Sequence, residues 1–160
     1  MTLSTKQRER LAFLIRVVQK ESKYLQATDH RLFETPFTLS EVAELETNQD
    51  LAERVEAFVG RFGRLQDLLG DKLLPMLLTL LGESVSVAID NYDKAERLGF
   101  INSVDEWMGM RQLRNQMVHE YIEDSHILID ALNSGHAHVA DLVDSANKML
   151  KEIENRNFLH

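Results

Sequence analysis

The residues with the clearest chemical potential lie in one short stretch, residues 114–121 (RNQMVHEY), which contains a permanent cation, an amide, an imidazole and a phenol. A guanidinium holds phosphate in a bidentate fork, and an imidazole transfers protons near neutral pH. These two groups suffice to cleave RNA without a metal: a base removes the 2′-OH proton, the oxygen attacks the adjacent phosphorus, and the cation stabilises the oxyanion. The spacing also allows a plainer interpretation, in which the polar side chains cap a helix end and its neighbour.

Helical spacing decides which of these groups can meet. Asn115 and His119 are four residues apart, so they share a helix face and can hydrogen-bond. Arg114 precedes His119 by five residues, which puts the two side chains about 140° apart at roughly 100° per residue. One regular helix would not bring Arg114 and His119 close together. The sequence therefore predicts convergence either because the helix unwinds near His119 or because a second subunit supplies the missing group.

The elements that position this stretch are predicted to be helices. Apolar residues recur at spacings of three and four through most of the chain, and no segment shows the sustained alternation of a strand. The predicted helices cover residues 3–28, about 38–45, a long second helix from about 48 or 50, residues 84–98, a motif helix from about 103, and about 124–155. We therefore expect an all-α, up-and-down bundle of four to five helices, forming one domain over residues 1–160.

Local signals refine this prediction. Capping-box spacing at residues 38–41 (TLSE) and 103–106 (SVDE) predicts two helix starts, and Gly99 is a predicted C-cap. The stretch 70–75, which ends in proline, is expected to end the second helix or to kink it. Residues 133–135 (NSG) mark a candidate break in the last helix. In the motif helix the predicted inward-facing residues are Trp107, Met110, Leu113, Met117 and Val118.

Composition bounds the class of protein. Hydrophobic residues make up 44% of the 160 residues and charged residues 28%, which is typical of a globular domain rather than a disordered chain. No apolar run reaches the roughly 18 residues of a membrane span, and residues 1–10 lack the apolar region of a signal peptide. The absence of cysteine excludes disulfides and thiolate metal sites, so the expected compartment is cytoplasmic. A net charge of −8 argues against a general nucleic-acid coat protein.

The stretch 114–121 resembles the signature of the HEPN superfamily (higher eukaryotes and prokaryotes nucleotide-binding). That signature is an arginine, four residues and a histidine, often with a polar residue after the arginine, and Arg114, Asn115 and His119 match it. An extended form adds a tyrosine two residues after the histidine. It is similar to the motif of the toxin in the HEPN/minimal-nucleotidyltransferase toxin–antitoxin pair, and Tyr121 completes it.

The resemblance extends beyond the motif. Residues 64–68 look like the family's second-helix segment, and residues 95–101 with 103–107 look like its lead-in to the motif. The similarity covers about residues 5–155. It implies a HEPN-like helical fold and a homodimer whose two motifs face each other across a cleft.

The resemblance also implies a function, that of a metal-independent endoribonuclease toxin from a type VII-like toxin–antitoxin pair. By this likeness Arg114 binds the scissile phosphate, His119 is the general acid and base, and Asn115 positions His119. The family's partner nucleotidyltransferase silences its toxin by adding AMP to the motif tyrosine, here Tyr121. The implied partners are a second copy, that antitoxin and an RNA substrate, and no cofactor is implied. The alternative is a non-catalytic substrate-binding subunit of a nucleotidyltransferase.

The second long helix offers possible support for an RNA cleft. Arg61, Arg64 and Asp67 lie at helical spacing and could line the cleft behind the motif, although ordinary surface salt bridges explain them as well. Gly60 and Gly63 are three apart, and such a pair permits another helix to approach closely.

The histidines of the last helix predict no metal site. His136 and His138 are two residues apart, so their side chains point roughly 200° apart on a helix and are poorly placed to chelate one ion. With His126, they are expected to be exposed or capping residues.

Overall fold

The protein is all-helical in the computed structural model, which describes residues 3–119 and 124–159, with His119 described by its backbone. This confirms the predicted all-α class, because no strand occurs in the described ranges. Among those residues no helix combines the length and apolar character that a membrane span requires. The helices in order are α1 (Thr5–Leu32), α2 (Leu39–Glu44), α3 (Gln49–Asp67), a π-helical segment (Leu68–Leu73), α4 (Leu74–Leu80), α5 (Ala88–Leu98), α6 (Val104–His119) and α7 (Ser125–Arg156).

The four longest helices form the body of the molecule. Helix α1 packs on α3 and α7, and α6 closes the arrangement by packing on α7 and α3. Helix α5 lies against α4 and the first part of α6. The largest side chains that are fully buried are aromatic and come from α3, α5 and α6: Phe58, Phe62, Tyr92 and Trp107. The motif helix is therefore part of the core packing and not an appendage.

Residues 70–75, which were predicted either to end the second long helix or to kink it, continue that helix. Between α3 and α4 the backbone adopts π-helical pairing over Leu68–Leu73. Proline has no backbone N–H and its ring crowds the preceding turn, so the widened turn ahead of Pro75 accommodates it. A Cβ on Gly70 would lie 3.3 Å from Tyr92 Oη and 3.4 Å from Trp107 Cζ2, so this glycine lets two core aromatics lie against the π segment.

Three helix boundaries differ from the prediction. Helix α1 continues to Leu32, past the predicted end at residue 28. Helix α7 is not broken at residues 133–135, because Asn133 serves a distant contact: its side chain accepts from Phe37 N at 2.9 Å and donates to Phe37 O at 3.0 Å. Helix α5 begins at Ala88 and not at 84, since Asn91 accepts from Ser86 N and donates to Ser86 O.

The helix caps predicted at residues 38, 99 and 103 are confirmed. Thr38 caps α2, Asn48 caps α3, and Glu106 N donates to Ser103 Oγ at 3.0 Å at the start of α6. Gly99 ends α5 in the left-handed conformation, with φ of 85°.

Candidate functional site

The inner side of α6 fixes the orientation of the motif. Trp107, Met110 and Met117 are buried, as predicted. Gln66 of α3 donates to Trp107 O at 3.3 Å, and Met117 packs against Gly135 of α7. The prediction for Val118 is wrong. Its side chain is 52% exposed, because Met117 takes the inward position and the next residue lies about 100° further round the helix.

The outer side of α6 is exposed, and its central residues are uncharged, although the exposed Asp105 and the half-buried Arg111 flank them. Met108, Gln112 and Asn115 form what we call the outer face of α6, with Gly109 at one edge and Val118 at the other. A Cβ on Gly109 would meet no atom of the described chain within 4 Å. His119 follows Asn115, Gln112 and Met108 by four, seven and eleven residues, so its backbone position falls on the same face.

Arg114 lies on the side of α6 that meets α3, across a glycine. A Cβ on Gly63 would be 3.0 Å from Arg114 Nε and 3.2 Å from its Cγ, so a larger residue would collide with the arginine. Arg114 Nη2 donates to Asp67 Oδ2 at 3.3 Å, while the two side chains keep 37% and 43% of their surface exposed. The predicted close approach thus occurs at Gly63. At Gly60 the atom nearest to an added Cβ would be Arg64 Nη1 at 3.8 Å, on the same helix.

The other two candidate cleft residues of α3 face α1. Arg61 donates to Tyr24 O at 3.2 Å and to Thr28 Oγ1, and its guanidinium lies 5.5 Å from the centre of the Tyr24 ring. Arg64 forms an ion pair with Glu21 at 3.3 Å. Of the three candidates, the structure therefore brings Asp67 to the motif helix, and it joins Arg61 and Arg64 to α1.

Helix α6 remains α-helical through His119. The backbone positions of Arg114 and His119 are therefore about 140° apart around the helix axis, and the unwinding that the sequence allowed is not observed before His119. Asn115 is exposed on the outer face, and Tyr121 lies outside the described residues.

A second polar cluster, absent from the sequence prediction, lies near the start of α6. His138 Nδ1 is 3.8 Å from Glu106 Oε1 and 3.7 Å from Asp141 Oδ2. His136 instead contacts Asp29 at 2.6 Å, so the two histidines do point to different partners, as their spacing predicted. The cluster was missed because Glu106 comes from another helix, 32 residues earlier, and no spacing along α7 reveals it.

Comparison with known proteins supplies no family for this chain: no family model matches it, and the searches of curated proteins and of solved structures find no match. The helical fold and the geometry around Arg114 and Asn115 are therefore the observations on which a function can be proposed.

Proposed function

We propose that this protein is a HEPN-like, metal-independent endoribonuclease that acts as a homodimeric toxin and is silenced when a partner nucleotidyltransferase adds AMP to Tyr121. One observation carries the proposal. Arg114 is held in place on α3 with part of its surface open, next to the exposed Asn115, on a helix that extends to His119. The cation of Arg114, the amide of Asn115 and the backbone position of His119 therefore lie at the same end of helix α6.

The environment of Arg114 suits phosphate binding. A guanidinium has five N–H donors in a fixed fork, and the bond to Asp67 uses one of them. The close packing on Gly63 restricts the side chain, so less conformational entropy is lost when a phosphate binds. In the proposed reaction Arg114 stabilises the charge on the pentacoordinate phosphate. His119 removes the 2′-OH proton, and an imidazolium protonates the departing 5′ oxygen.

The outer face of α6 supports a dimeric site. A second copy facing this one would bring its own Arg114 and His119 to the same phosphodiester. Arg114 of one copy could then act with His119 of the other, although the two are about 140° apart within one helix. The central residues of the face are uncharged, so pairing two copies there sets no like charges directly opposite each other. Gly109 lies at the edge of this face and costs about 1 kcal/mol of helix stability relative to alanine, yet the described residues leave the space above it open. A facing helix could approach closely there.

The first test is RNA cleavage by the purified protein. Arg114→Ala and His119→Ala are each expected to lower the cleavage rate by at least about 10²-fold, since each removes a group that acts in the transition state. Arg97→Ala and His30→Ala are the matched controls, because they remove an exposed arginine of α5 and an exposed histidine of α1 and should leave cleavage unchanged. Cleavage should persist in EDTA. Full activity in both motif variants would overturn the proposal.

The second test concerns the partner. After co-expression with a small nucleotidyltransferase, the intact mass should rise by one adenylyl group in the wild type and in Tyr24→Phe, whose tyrosine is also exposed, but not in Tyr121→Phe. The ion pair of Arg114 with Asp67 partly neutralises the cation and favours the alternative, a non-catalytic subunit that binds a nucleotidyltransferase. A stable complex with the transferase, without RNA cleavage by the free chain, would decide for that alternative.

A further inference from the structure

Three side chains from two helices converge near the start of α6. Glu106 comes from the first turn of α6, and His138 and Asp141 come from adjacent turns of α7. One ligand atom of each lies within 4.8 Å of the other two. The side chains are part-buried, with exposures of 27% for Glu106, 32% for His138 and 44% for Asp141, so the group is accessible from solvent.

The contacts inside this cluster are incomplete without a further atom. The distances of 3.8 and 3.7 Å from His138 Nδ1 to the two carboxylates are too long for hydrogen bonds. The Nδ1 atom itself is buried and has no hydrogen-bond partner in the described chain. A buried ring nitrogen without a partner is costly, as are two carboxylates close together. A cation between the three groups would satisfy all of them.

We propose that Glu106, His138 and Asp141 form a binding site for a divalent metal ion of the zinc class. One imidazole nitrogen and two carboxylate oxygens are ligands that Zn²⁺ accepts, and three protein ligands leave a fourth position for water. Ligand atoms about 2.0–2.1 Å from a tetrahedral ion are roughly 3.4 Å apart. The observed 3.7 and 3.8 Å from His138 to the two carboxylates come within a few tenths of an ångström of that separation, and the two carboxylates have oxygens within 4.8 Å of each other.

The surroundings fit a metal site that joins two helices. Asn102 Nδ2 lies 3.4 Å and 3.5 Å from the two oxygens of Glu106, and such outer partners orient metal ligands. The site is separate from the RNA motif, since Glu106 precedes Arg114 by eight residues, or about 12 Å along a helix. The ion would tie the first turn of α6 to the middle of α7 and so hold the helix that carries the motif.

The chain contains a built-in reporter for this site. Trp107 is the only tryptophan, follows Glu106 directly, and lines the same narrow crevice as Glu106 and Asp141. Untagged, EDTA-treated protein is titrated with Co²⁺, which gives visible absorption bands in a low-symmetry site and quenches nearby fluorescence. We expect saturation at one ion per chain, with visible bands and loss of Trp107 emission that added Zn²⁺ reverses.

The variants separate this site from adventitious binding. His138→Gln and Asp141→Asn should each weaken Co²⁺ binding by at least about tenfold, and Asn102→Ala by about tenfold. His136→Gln is the matched control, because it removes a histidine of the same helix that also faces a carboxylate, and it should bind as the wild type does. Zn²⁺ should raise the thermal midpoint of the wild type and of His136→Gln, but not of Asp141→Asn.

Two results would overturn the proposal. One is the absence of visible bands and of any Trp107 quenching at millimolar Co²⁺. The other is equal loss of binding in His136→Gln and His138→Gln, which would indicate scattered surface histidines. Neither readout involves RNA, so failure here leaves the proposed ribonuclease untouched, and failure of RNA cleavage leaves the metal site untouched.

Discussion

The two halves of α6 are embedded in the molecule in different ways. In the first half, Trp107 and Met110 are buried, Gln66 bonds to the backbone of Trp107, and Glu106 meets His138 from α7. In the second half, Met117 is fully buried, and the outward residues Gln112, Asn115 and Val118 are exposed and uncharged. The chain's own packing accounts for the buried side of the first half.

The difference suggests what each half is for. The first half is held by groups from three other parts of the chain, as a structural anchor should be. The second half presents Asn115 and the His119 position outward while Arg114 is braced on α3, an arrangement that suits groups acting on something outside the chain. The proposed dimeric RNA site and the proposed metal site follow this division.

The largest expected effect tests the buried side of the first half of α6. Trp107→Ala should lower the free energy of unfolding by about 3–5 kcal/mol, because it removes a fully buried ring that packs on Tyr92. Val118→Ala, on the same helix but 52% exposed, should change it by less than about 0.5 kcal/mol. Urea unfolding followed by circular dichroism at low protein concentration measures both. Similar losses for the two variants would mean that the halves are not different.

The next effect tests the outer face of α6. Met108→Glu should raise the dissociation constant of the dimer by at least about tenfold, since it sets two carboxylates near each other between facing copies. Ala27→Glu adds the same charge to an exposed position of α1 and should leave association intact. Sedimentation over a range of concentrations distinguishes them. A dimer that tolerates Met108→Glu, or a protein that is monomeric throughout, would remove the outer face from the proposed site.

Gly60 and Gly63 test whether the close packing of Arg114 on α3 matters. Gly60→Ala should stabilise the protein by up to about 1 kcal/mol, since alanine favours helix and the new methyl meets nothing closer than 3.8 Å. Gly63→Ala should gain less, because its methyl would be 3.0 Å from Arg114 Nε and would force the arginine to move. RNA cleavage should fall in Gly63→Ala alone. Equal stability gains with unchanged cleavage in both would show that the close approach is not needed.

The features that could be read from the sequence are those that depend on neighbouring residues. The helix starts at Thr38, Asn48 and Ser103 and the end at Gly99 were predictable, because a capping residue acts within one turn. The features that were missed depend on distant partners. The uninterrupted α7 is one, since Asn133 bonds to Phe37, 96 residues away in the sequence.

The candidate site divides in the same way. The motif residues and the 140° separation of Arg114 and His119 could be read from spacing alone. The contacts of Arg114 with Gly63 and Asp67 could not be predicted without the packing of α3 on α6, because the sequence offered Arg61 and Arg64 as equal candidates. Spacing predicts which residues share a face, but not which helix that face meets.

The last prediction concerns Asp67, where the expected effect on stability is small. Asp67→Ala should cost only about 0.2–1 kcal/mol, because both partners of its ion pair are more than a third exposed and water screens them. RNA cleavage should nevertheless fall by up to about tenfold, since Arg114 loses the acceptor that orients it, and Asp67→Asn should keep most activity because its amide oxygen still accepts. Glu21→Ala is the control: it removes the carboxylate that Arg64 meets at the same 3.3 Å, on the α1 side of the same helix. Cleavage that stays constant or rises in Asp67→Ala, measured beside that control, would mean that Asp67 only neutralises Arg114, and the second half of α6 would then carry a shielded cation instead of a positioned one.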